Sequence, residues 1–503
     1  MKEVPNGWTT TELRSITNIN YGKAIPKEEK GSGGAYPIVG SSGIIGYHDK
    51  ALVNAPCIII GRKGSAGSVN YIKTPCWPID TTFFFNTPKE VHPIFLSRLL
   101  EYKNLGQLDK STAIPSLSRD DLYKESIDIP PFEEQTRIVE KLEELLSQLD
   151  GGAAELKAAQ QKLELYRQSL LKAAVEGRLT AEWREKNTPT ESGAQLLDRI
   201  LTERRQRWEA QQQAKFEAQG KKPPKDWQKK YPEPVKPDTT GLPALPEGWV
   251  WASLDMIGEI ASGVAKGSKT TKNTPKRTVP YLRVANVQRG YLDLSDVKFI
   301  EATEKDIADL TLKNGDVLFN EGGDRDKLGR GWVWREEVPN CIHQNHVFRF
   351  RRASSDIEPE LLSHHGNTFG KLWFQNAGKQ TTNLASINMT MLKSFPVPIS
   401  SAEEQRETLG KIQHLLDSIS RQDASIKTAA SILNSQRQNI LRAAFAGKLV
   451  SQDPNDEPAS ELLARIQAER AAQAPQKTAK PGKKSSTEAK PRKPRTRKPK
   501  EDT

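Results

Sequence analysis

Cysteine and long apolar runs are scarce in this chain. Its 503 residues include three cysteines, Cys57, Cys76 and Cys341, which form neither a CxxC pair nor an even set. Such usage is typical of a reducing compartment. No run reaches the ~18 apolar residues of a membrane span, and the N-terminal MKEVPNGW lacks the apolar core of a signal peptide. We therefore expect a cytoplasmic protein.

Apolar residues are also few for the length of the chain. They make up 36% of it, which is enough for globular domains but low for a core throughout. The length predicts roughly two to four domains. The net charge of +12 is concentrated in residues 471–503, which hold eleven Lys/Arg and three acidic residues. We predict that this Pro-interrupted tail is disordered, with phosphate contact and solubilisation both open as its role.

The chain repeats a helical segment. EEQTRIVEKLEELLSQLD (133–150) recurs as EEQRETLGKIQHLLDSIS (403–420), and the offset of 270 continues without a gap to residue 449, with about 17 identities in 47 positions. A second match, 194–204 with 460–470, follows at an offset of 266. The globular parts that precede the two copies differ over most of their length. A duplicated frame with two divergent modules predicts one scaffold and two reading tasks, and suggests that residues 1–185 are a complete unit.

The repeated segment has the 4,3 spacing of apolar residues that is typical of a coiled coil. Acidic residues in the first turn favour its start, and Gly177 and Gly447 are predicted stops. Two arrangements are open, an antiparallel pair within one chain and a zipper between two chains; a domain between the copies favours the first. The predicted seam consists of Ile138, Leu142, Leu145, Leu149, Leu156, Leu163, Leu170, Ile412, Leu415, Ile419, Ile426, Leu433 and Ile440.

The chain resembles the specificity subunits of type I restriction-modification enzymes. The resemblance is carried by PNGW and PEGW at the domain starts, PPFEEQTRIVEKLEELL with SSAEEQRETLGKIQHLL, LLKAAVEGRL with ILRAAFAGKL, and YPIVGSSGIIGYHDK in the first module. It implies an α+β protein with two α/β target-recognition domains, separated by two long helices that form an antiparallel coiled coil with an internal pseudo-two-fold repeat. The implied domains are recognition domains at 1–130 and 245–400, helical regions at 131–204 and 401–470, a linker at 205–244 and the tail at 471–503.

The same resemblance implies function and partners. Such a subunit recognises a bipartite, asymmetric site in double-stranded DNA and positions two methyltransferase subunits together with restriction subunits. S-adenosylmethionine, ATP and Mg would bind those partners, and this chain would bind no cofactor or metal and catalyse nothing itself.

Motifs for catalysis in the chain itself are weak. Gly263–Thr270 lacks the spacing of a phosphate-binding loop, and Ile129–Phe132 lacks the polar first residue of a methyltransferase motif, so it is better explained as a helix entry. Cys341, His343 and His346 would be three zinc ligands without a fourth at a convincing spacing. His364 and His365 are expected at the surface.

Candidate DNA contacts are polar or basic residues beside glycines, where the backbone can approach phosphates and side chains can reach base edges. Ile38, Val39, Ile58–Ile60 and Phe83–Phe85 are interpreted instead as core strands of the first module. The candidates are Ser41, Ser42, Arg62, Lys63, Ser65, Lys110, Ser111, Thr112, Arg283, Asn286, Asn320, Arg325, Lys327, Arg330, Lys379, Gln380, Thr381, Thr382 and Asn383.

Two other classes of protein compete with this interpretation. A stand-alone DNA-binding regulator would need its own dimer symmetry and a DNA-reading motif such as helix-turn-helix, for which the sequence gives no signal. A coiled-coil scaffold would bind protein partners only, with its globular modules taking peptides.

Overall fold

The computed structural model describes residues 4–26, 33–111, 114–265, 275–323, 327–377, 379–380 and 385–473, and gives the backbone alone at 323, 377, 379, 380 and 385. The chain divides into two compact units. Unit 1 comprises residues 1–152 and 432–503, and unit 2 comprises residues 153–431. Both units contain helices and sheets, as the predicted mixed α/β architecture requires.

The elements are numbered along the chain. Up to the first long helix they are β1 (Thr9–Glu12), α1 (Leu13–Ile16), β2 (Asn20–Tyr21), β3 (Tyr36–Gly40), β4 (Gly43–His48), β5 (Cys57–Gly61), β6 (Val69–Ile72), β7 (Trp77–Pro78), β8 (Thr82–Phe85), α2 (Pro93–Tyr102), α3 (Arg119–Tyr123), β9 (Ser126–Ile129) and α4 (Phe132–Val175).

A second set follows α4. It consists of α5 (Ala181–Lys186), α6 (Gly193–Ala218), β10 (Val250–Ser253), α7 (Leu254–Ile257), β11 (Gly258–Ser262), β12 (Lys276–Leu282), β13 (Lys298–Thr303), α8 (Glu304–Leu310), β14 (Val317–Asn320), β15 (Gly322–Gly323), β16 (Gly331–Val333), β17 (Ile342–His343), β18 (Val347–Arg352), α9 (Pro359–Asn367), α10 (Phe369–Ala377), β19 (Lys379–Gln380), β20 (Ala385–Ser386), α11 (Met389–Lys393), β21 (Pro396–Ile399), α12 (Ala402–Ala444) and α13 (Ala459–Gln473).

The globular parts of the two units have the same strand order despite their dissimilar sequences. Unit 1 has sheets ordered β2-β8-β5-β6 and β4-β3-β7, and unit 2 has β11-β18-β14-β16 and β13-β12-β17. In the sheets β4-β3-β7 and β13-β12-β17 the last pair is parallel, β3 with β7 and β12 with β17. Unit 2 adds a small sheet, β15-β20-β19. The dissimilar sequences predicted that the two globular parts would differ. The difference lies in side chains and loops.

The central strands have the sequences that buried strands require. All five residues of β5 (CIIIG) and all four of β14 (VLFN) are buried. β-branched and aromatic side chains pack well on a pleated surface covered on both faces, so such uninterrupted apolar runs favour a central strand. The predicted core strands around Ile58–Ile60 and Phe83–Phe85 are therefore confirmed.

A short strand pair joins each globular part to a long helix. β1 pairs with β9 so that Thr9 lies opposite Ile129, and β10 pairs with β21 so that Val250 lies opposite Ile399. Each pair leads directly through a proline or serine pair into a long helix, α4 or α12. Ile129–Phe132 is thus the helix entry that its sequence indicated.

Both long helices end at the predicted glycines. Gly177 and Gly447 have φ values of +70° and +65°, a left-handed conformation that glycine adopts without a Cβ penalty. A Cβ at Gly447 would lie 2.5 Å from Pro5 Cγ, and one at Gly177 would lie 2.7 Å from Pro246 Cγ. The PNGW and PEGW starts therefore pack on equivalent helix ends.

Within unit 2 the two helical segments run antiparallel. Going forward along the first segment, Gln160 contacts Asp423 at 3.3 Å, the Leu179 carbonyl contacts Lys411, and Thr180 contacts Glu404 at 2.7 Å. Within unit 1, the Asp150 carboxylate pairs with Arg437, and a Cβ at Gly152 would lie 3.6 Å from Leu433. The long helices therefore pack within the chain in both units.

Unit 1 is not the continuous segment 1–185 that the repeat suggested. Its core includes Ala444, Phe445, Ala459, Leu463 and Ile466 from the far end of the chain. Residues 153–185 belong to unit 2 instead. The reason is the antiparallel pairing, which gives each globular part the start of its own helix and the end of the other.

The predicted linker at 205–244 is partly folded. The helix α6 runs through the predicted boundary to Ala218, and Trp208 at its centre stacks on Trp227 with ring centroids 5.8 Å apart. Tyr231 packs on the same Trp208 ring at 5.4 Å. Among the described residues, no helix is both long and apolar enough to cross a membrane.

Candidate nucleic-acid interface

In unit 1, three loops that carry candidate contacts lie together. The Gly64 amide donates to the Pro115 carbonyl at 3.1 Å, and the Leu117 amide donates to the Arg62 carbonyl at 2.8 Å. The Ser68 hydroxyl donates to the Ser41 carbonyl. The turn between β3 and β4, the loop after β5 and the loop before α3 thus form one surface.

Arg62 is held at this surface by aromatic and backbone contacts. Its guanidinium lies 5.0 Å from the centroid of the Tyr21 ring and donates to the Asp80 carbonyl at 3.2 Å. Arg119 lies over the same ring at 5.1 Å. The two cations are therefore oriented without being neutralised by these contacts, which suits them to phosphate or base-edge oxygens. Lys63 beside them is exposed.

The remaining unit 1 candidates differ in their exposure and in the contacts that their side chains make. Ser42 and Ser65 are exposed. Lys110 forms an ion pair with Asp121 at 3.1 Å, and the Ser111 hydroxyl donates to Asp109 at 2.6 Å. Ser111 therefore stabilises its own turn as placed. Thr112 lies outside the described residues.

Two unit 2 candidates are structural in this arrangement. Asn286 is 3% exposed, and its amide donates to the carbonyls of Asp293 and Asp296 at 2.9 and 3.1 Å. Asn320 is fully buried and donates to the Val287 carbonyl at 2.9 Å. Sequence reasoning predicted that both reach base edges; in this structure their buried amides hold the loop that follows β12.

The basic candidates of unit 2 surround the same loop. Arg330 donates to the Val284 carbonyl at 3.3 Å, and Arg283 is paired with Asp296 at 3.0 Å. Lys327 is half-buried. Of the other candidates, Arg325, Thr381, Thr382 and Asn383 lie outside the described residues, and the structure gives only the backbone of Lys379 and Gln380 in β19.

Three histidines of unit 2, His343, His364 and His365, lie in the core. His343 is fully buried with Nδ1 2.6 Å from the Val347 carbonyl oxygen, and burial lowers its pKa to about 4. His346 is exposed and contacts Glu321. No group of three metal-binding side chains occurs within the residues that the structure describes. His364 and His365, expected at the surface, are 7% and 3% exposed, because both rings pack on aromatic residues.

The predicted seam positions are all buried or half-buried. Ile138, Leu142, Leu170, Ile412 and Ile419 are buried. The half-buried positions are Leu145, Leu149, Leu156, Leu163, Leu415, Ile426, Leu433 and Ile440.

Sequence reasoning missed a buried carboxylate at the start of each long helix. Trp8 Nε1 donates to Glu134 at 3.0 Å in unit 1, and Trp249 Nε1 donates to Glu404 at 2.8 Å in unit 2. Burial raises the pKa of Glu134. The signal was present, since both residues of each pair lie in the repeated PxGW and EEQ motifs.

The next residue of the motif repeats its contacts as well. Gln135 accepts from the His92 amide at 2.7 Å and donates to the Pro130 carbonyl at 2.9 Å. Gln405 accepts from the Glu358 amide at 2.9 Å and donates to the Ser400 carbonyl at 3.1 Å. The EEQ motif thus ties the helix α2 or α9 and the preceding strand to the helix start.

A model of a known protein family matches part of this chain. Residues 5–161 match the family model of the type I restriction modification DNA specificity domain. The matched range covers the first globular part and the start of α4. This part of the chain is therefore similar to the DNA specificity domain of type I restriction-modification enzymes.

Two relatives extend the similarity along the chain. The EcoKI specificity subunit of Escherichia coli (strain K12) is 27% identical over 360 residues, which cover 69% of this chain and 64% of that subunit. The EcoDI specificity subunit of Escherichia coli is 24% identical over 488 residues, 93% of this chain and 97% of that subunit.

A solved structure has the same fold. A chain from a study of the assembly and conformational transition of the type I R-M system aligns with a TM-score of 0.60 and 16% identity, over 89% of this chain and 100% of that chain.

Proposed function

We propose that the chain reads a bipartite, asymmetric site in double-stranded DNA, with one recognition domain (1–130 or 245–400) for each half. The observation that carries the proposal is the contrast within the repeated fold. The Trp–Glu bond, the strand pair and the glutamine contacts recur in both units, whereas the loops with the candidate contacts differ in sequence and in bonding. A shared frame with two different loop surfaces suits two different half-sites.

The long helices act as the spacer in this proposal. Their antiparallel contacts, and a row of shielded apolar positions at heptad spacing, support a coiled coil with a pseudo-two-fold repeat. Two methyltransferase subunits would dock on the exposed helix faces, and restriction subunits would join them in the cytoplasm. S-adenosylmethionine, ATP and Mg would bind those partners.

Methylation mapping tests the division of labour. The chain is co-expressed with its methyltransferase subunit, and the modified motif is read by sequencing. Arg62→Ala with Lys63→Ala should weaken or relax one half-site only, and Arg283→Ala with Arg330→Ala should act on the other. A base contact contributes about 1–3 kcal/mol, so methylation at the affected half should fall roughly 5- to 150-fold. Arg98→Ala, which breaks an ion pair on α2, is the matched control.

The other function classes give different results in the same experiment. Equal changes at both half-sites would refute the model of two readers. Tight, sequence-specific binding by the chain without its partners would identify a stand-alone regulator. Absence of DNA binding with and without the methyltransferase would identify a protein scaffold.

A further inference from the structure

The candidate surface of unit 1 exposes large apolar side chains. In the globular part of this unit, Tyr21, Ile44, Ile45, Tyr47 and Ile114 are 45%, 54%, 56%, 55% and 67% exposed. Three of them lie on β4, an edge strand whose partner β3 is covered on its other side by β7. Exposed apolar residues gathered in one region, unlike scattered ones, indicate an interaction surface.

These side chains lie beside the three loops that carry the candidate polar contacts. A Cβ at Gly40 would lie 3.4 Å from Ile45, and one at Gly64 would lie 3.7 Å from the Ser41 hydroxyl. The Gly64 amide bonds the carbonyl of Pro115, the neighbour of Ile114. Apolar groups and candidate polar groups therefore form one continuous surface.

Positive charge borders this apolar surface. The guanidinium groups of Arg62 and Arg119 stack on Tyr21, and Lys63 is exposed next to Arg62. Cations around an apolar centre match duplex DNA, whose phosphates flank a groove that contains one type of apolar group, the 5-methyl of thymine. The major groove is about 12 Å wide and admits a two-stranded β-ribbon.

We propose that the β3–β4 ribbon enters the major groove, where Ile44, Ile45 and Ile114 read thymine 5-methyl groups while Arg62 and Lys63 contact the polar edges of neighbouring bases. The inference rests on the proposed function and names the chemistry by which unit 1 discriminates bases. Serine, arginine and lysine candidates alone could not detect a methyl group, because it neither donates nor accepts hydrogen bonds.

Unit 2 provides a matched comparison on the equivalent strand. β13 occupies the position of β4 in the strand order, and its Phe299 is 66% exposed. Phe299→Ala removes a comparable exposed apolar group from the other reader. It should leave recognition of the first half-site unchanged.

The test replaces thymine by deoxyuridine, which lacks only the methyl group. The full chain in complex with its methyltransferase is assayed on duplexes with single replacements in the half-site that Arg62 and Lys63 variants affect. At one or more positions affinity should fall about threefold to fivefold, the value for burying one methyl.

Variants then connect the methyl to the side chains. Ile44→Ala, Ile45→Ala and Ile114→Ala should bind thymine and deoxyuridine duplexes nearly equally at the position each one reads, whereas Phe299→Ala keeps the discrimination. All four side chains are exposed, so thermal unfolding should be unchanged and serves as the folding check.

Several results would overturn the inference while leaving the proposed function intact. These are a first half-site without thymine on either strand, equal affinity for every deoxyuridine duplex, or discrimination that survives all three alanine variants. Loss of the methyltransferase from the purified complex of Ile44→Ala or Ile45→Ala, with thymine discrimination retained, would assign the surface to a protein partner. Absence of any sequence-specific methylation would instead refute the proposed function itself.

Discussion

Unit 1 and unit 2 are built on the same frame but use their loops differently. In unit 1 the cations Arg62 and Arg119 stack on an aromatic ring at the surface. In unit 2 the candidate polar residues Asn286 and Asn320 are buried and donate to main-chain carbonyls. The contacts that recur in both units are those at the starts of the long helices, where both units need the same geometry. The loops that carry the candidate contacts differ between the units.

The frame itself is not equally robust in the two units. Glu404 accepts from Trp249, Thr180 and Arg184, three donors that together satisfy a buried carboxylate. Glu134 accepts from Trp8 at 3.0 Å, and burial raises its pKa in spite of that bond. Burial therefore makes the carboxylate of Glu134 costly to ionise in unit 1.

The largest expected effect comes from a charge in the helix seam. Leu142 and Ile412 occupy equivalent positions and are 1% and 0% exposed. Leu142→Asp or Ile412→Asp would bury an unpaired carboxylate, which should cost more than about 4 kcal/mol. We expect both variants to lose stable folding of the affected unit and assembly with the methyltransferase, measured by thermal unfolding and size-exclusion chromatography. Ser147→Asp, on an exposed position of α4, is the control. Normal assembly of both seam variants would contradict the pairing.

Acid should distinguish the units next. Burial lowers the pKa of His343, His364 and His365 to about 4 each, from an unfolded value of 6.5. Because the folded pKa is lower, their stabilisation is fully present above pH 6.5 and is lost as the pH falls towards 4. Each ring should cost on the order of 1–2 kcal/mol by pH 5.

Hydrogen exchange at pH 7 and pH 5 measures this difference unit by unit. After correction for the intrinsic exchange rates, the strands β14 and β18 of unit 2 should lose more protection than β5 and β8 of unit 1. His365→Phe, which keeps an aromatic ring against Phe369, should reduce the loss in unit 2. His414→Gln, on an exposed helix position, should not. Equal loss in both units would show that the buried histidines do not control acid stability.

The tryptophans of the PxGW motifs should have unequal effects. Trp8→Phe removes the indole donor from Glu134, and Trp249→Phe leaves Glu404 with Thr180 and Arg184. Loss of a donor to a buried carboxylate costs about 1–3 kcal/mol, so Trp8→Phe should destabilise more. Its cost should shrink as the pH falls through the pKa of Glu134, because the protonated acid needs the donor less. Urea unfolding followed from pH 5 to pH 8 checks both points, and a larger loss in Trp249→Phe would reverse the comparison.

Local sequence was sufficient to predict the two long helices, their ends and the core strands. The apolar period of α4 and α12, the glycines at 177 and 447, and the uninterrupted run of β5 are each determined within a few turns or one strand. Seam burial followed for the same reason, since period and face are linked in a helix.

The sequence did not predict that residues from the far end of the chain complete the core of unit 1. That Phe445 and Leu463 complete the core of unit 1 depends on the antiparallel return of the chain, which no local pattern encodes. Asn286 and Asn320 are of a residue type that often reads bases, but their side-chain amides donate hydrogen bonds to main-chain carbonyls of a loop. The exposure of Ile44 and Ile45 was not predicted either, because an apolar strand is ordinarily a core strand.

The smallest effect concerns a difference between the helices themselves. α4 contains Gly151 and Gly152, where α12 has Arg421 and Gln422. A Cβ at Gly151 meets nothing within 4 Å, and one at Gly152 meets Leu433 at the ordinary contact distance of 3.6 Å. Gly151→Ala should therefore stabilise the chain by up to about 1 kcal/mol, since glycine is the poorer helix former. Gly152→Ala should stabilise it by a similar amount and add a contact in the seam. Thermal unfolding of each variant measures the gain, with Ala153→Gly as the reciprocal control. Destabilisation by Gly152→Ala alone would mean that the helices approach too closely at this point for a methyl group, and that the glycine is required by the seam and not merely tolerated.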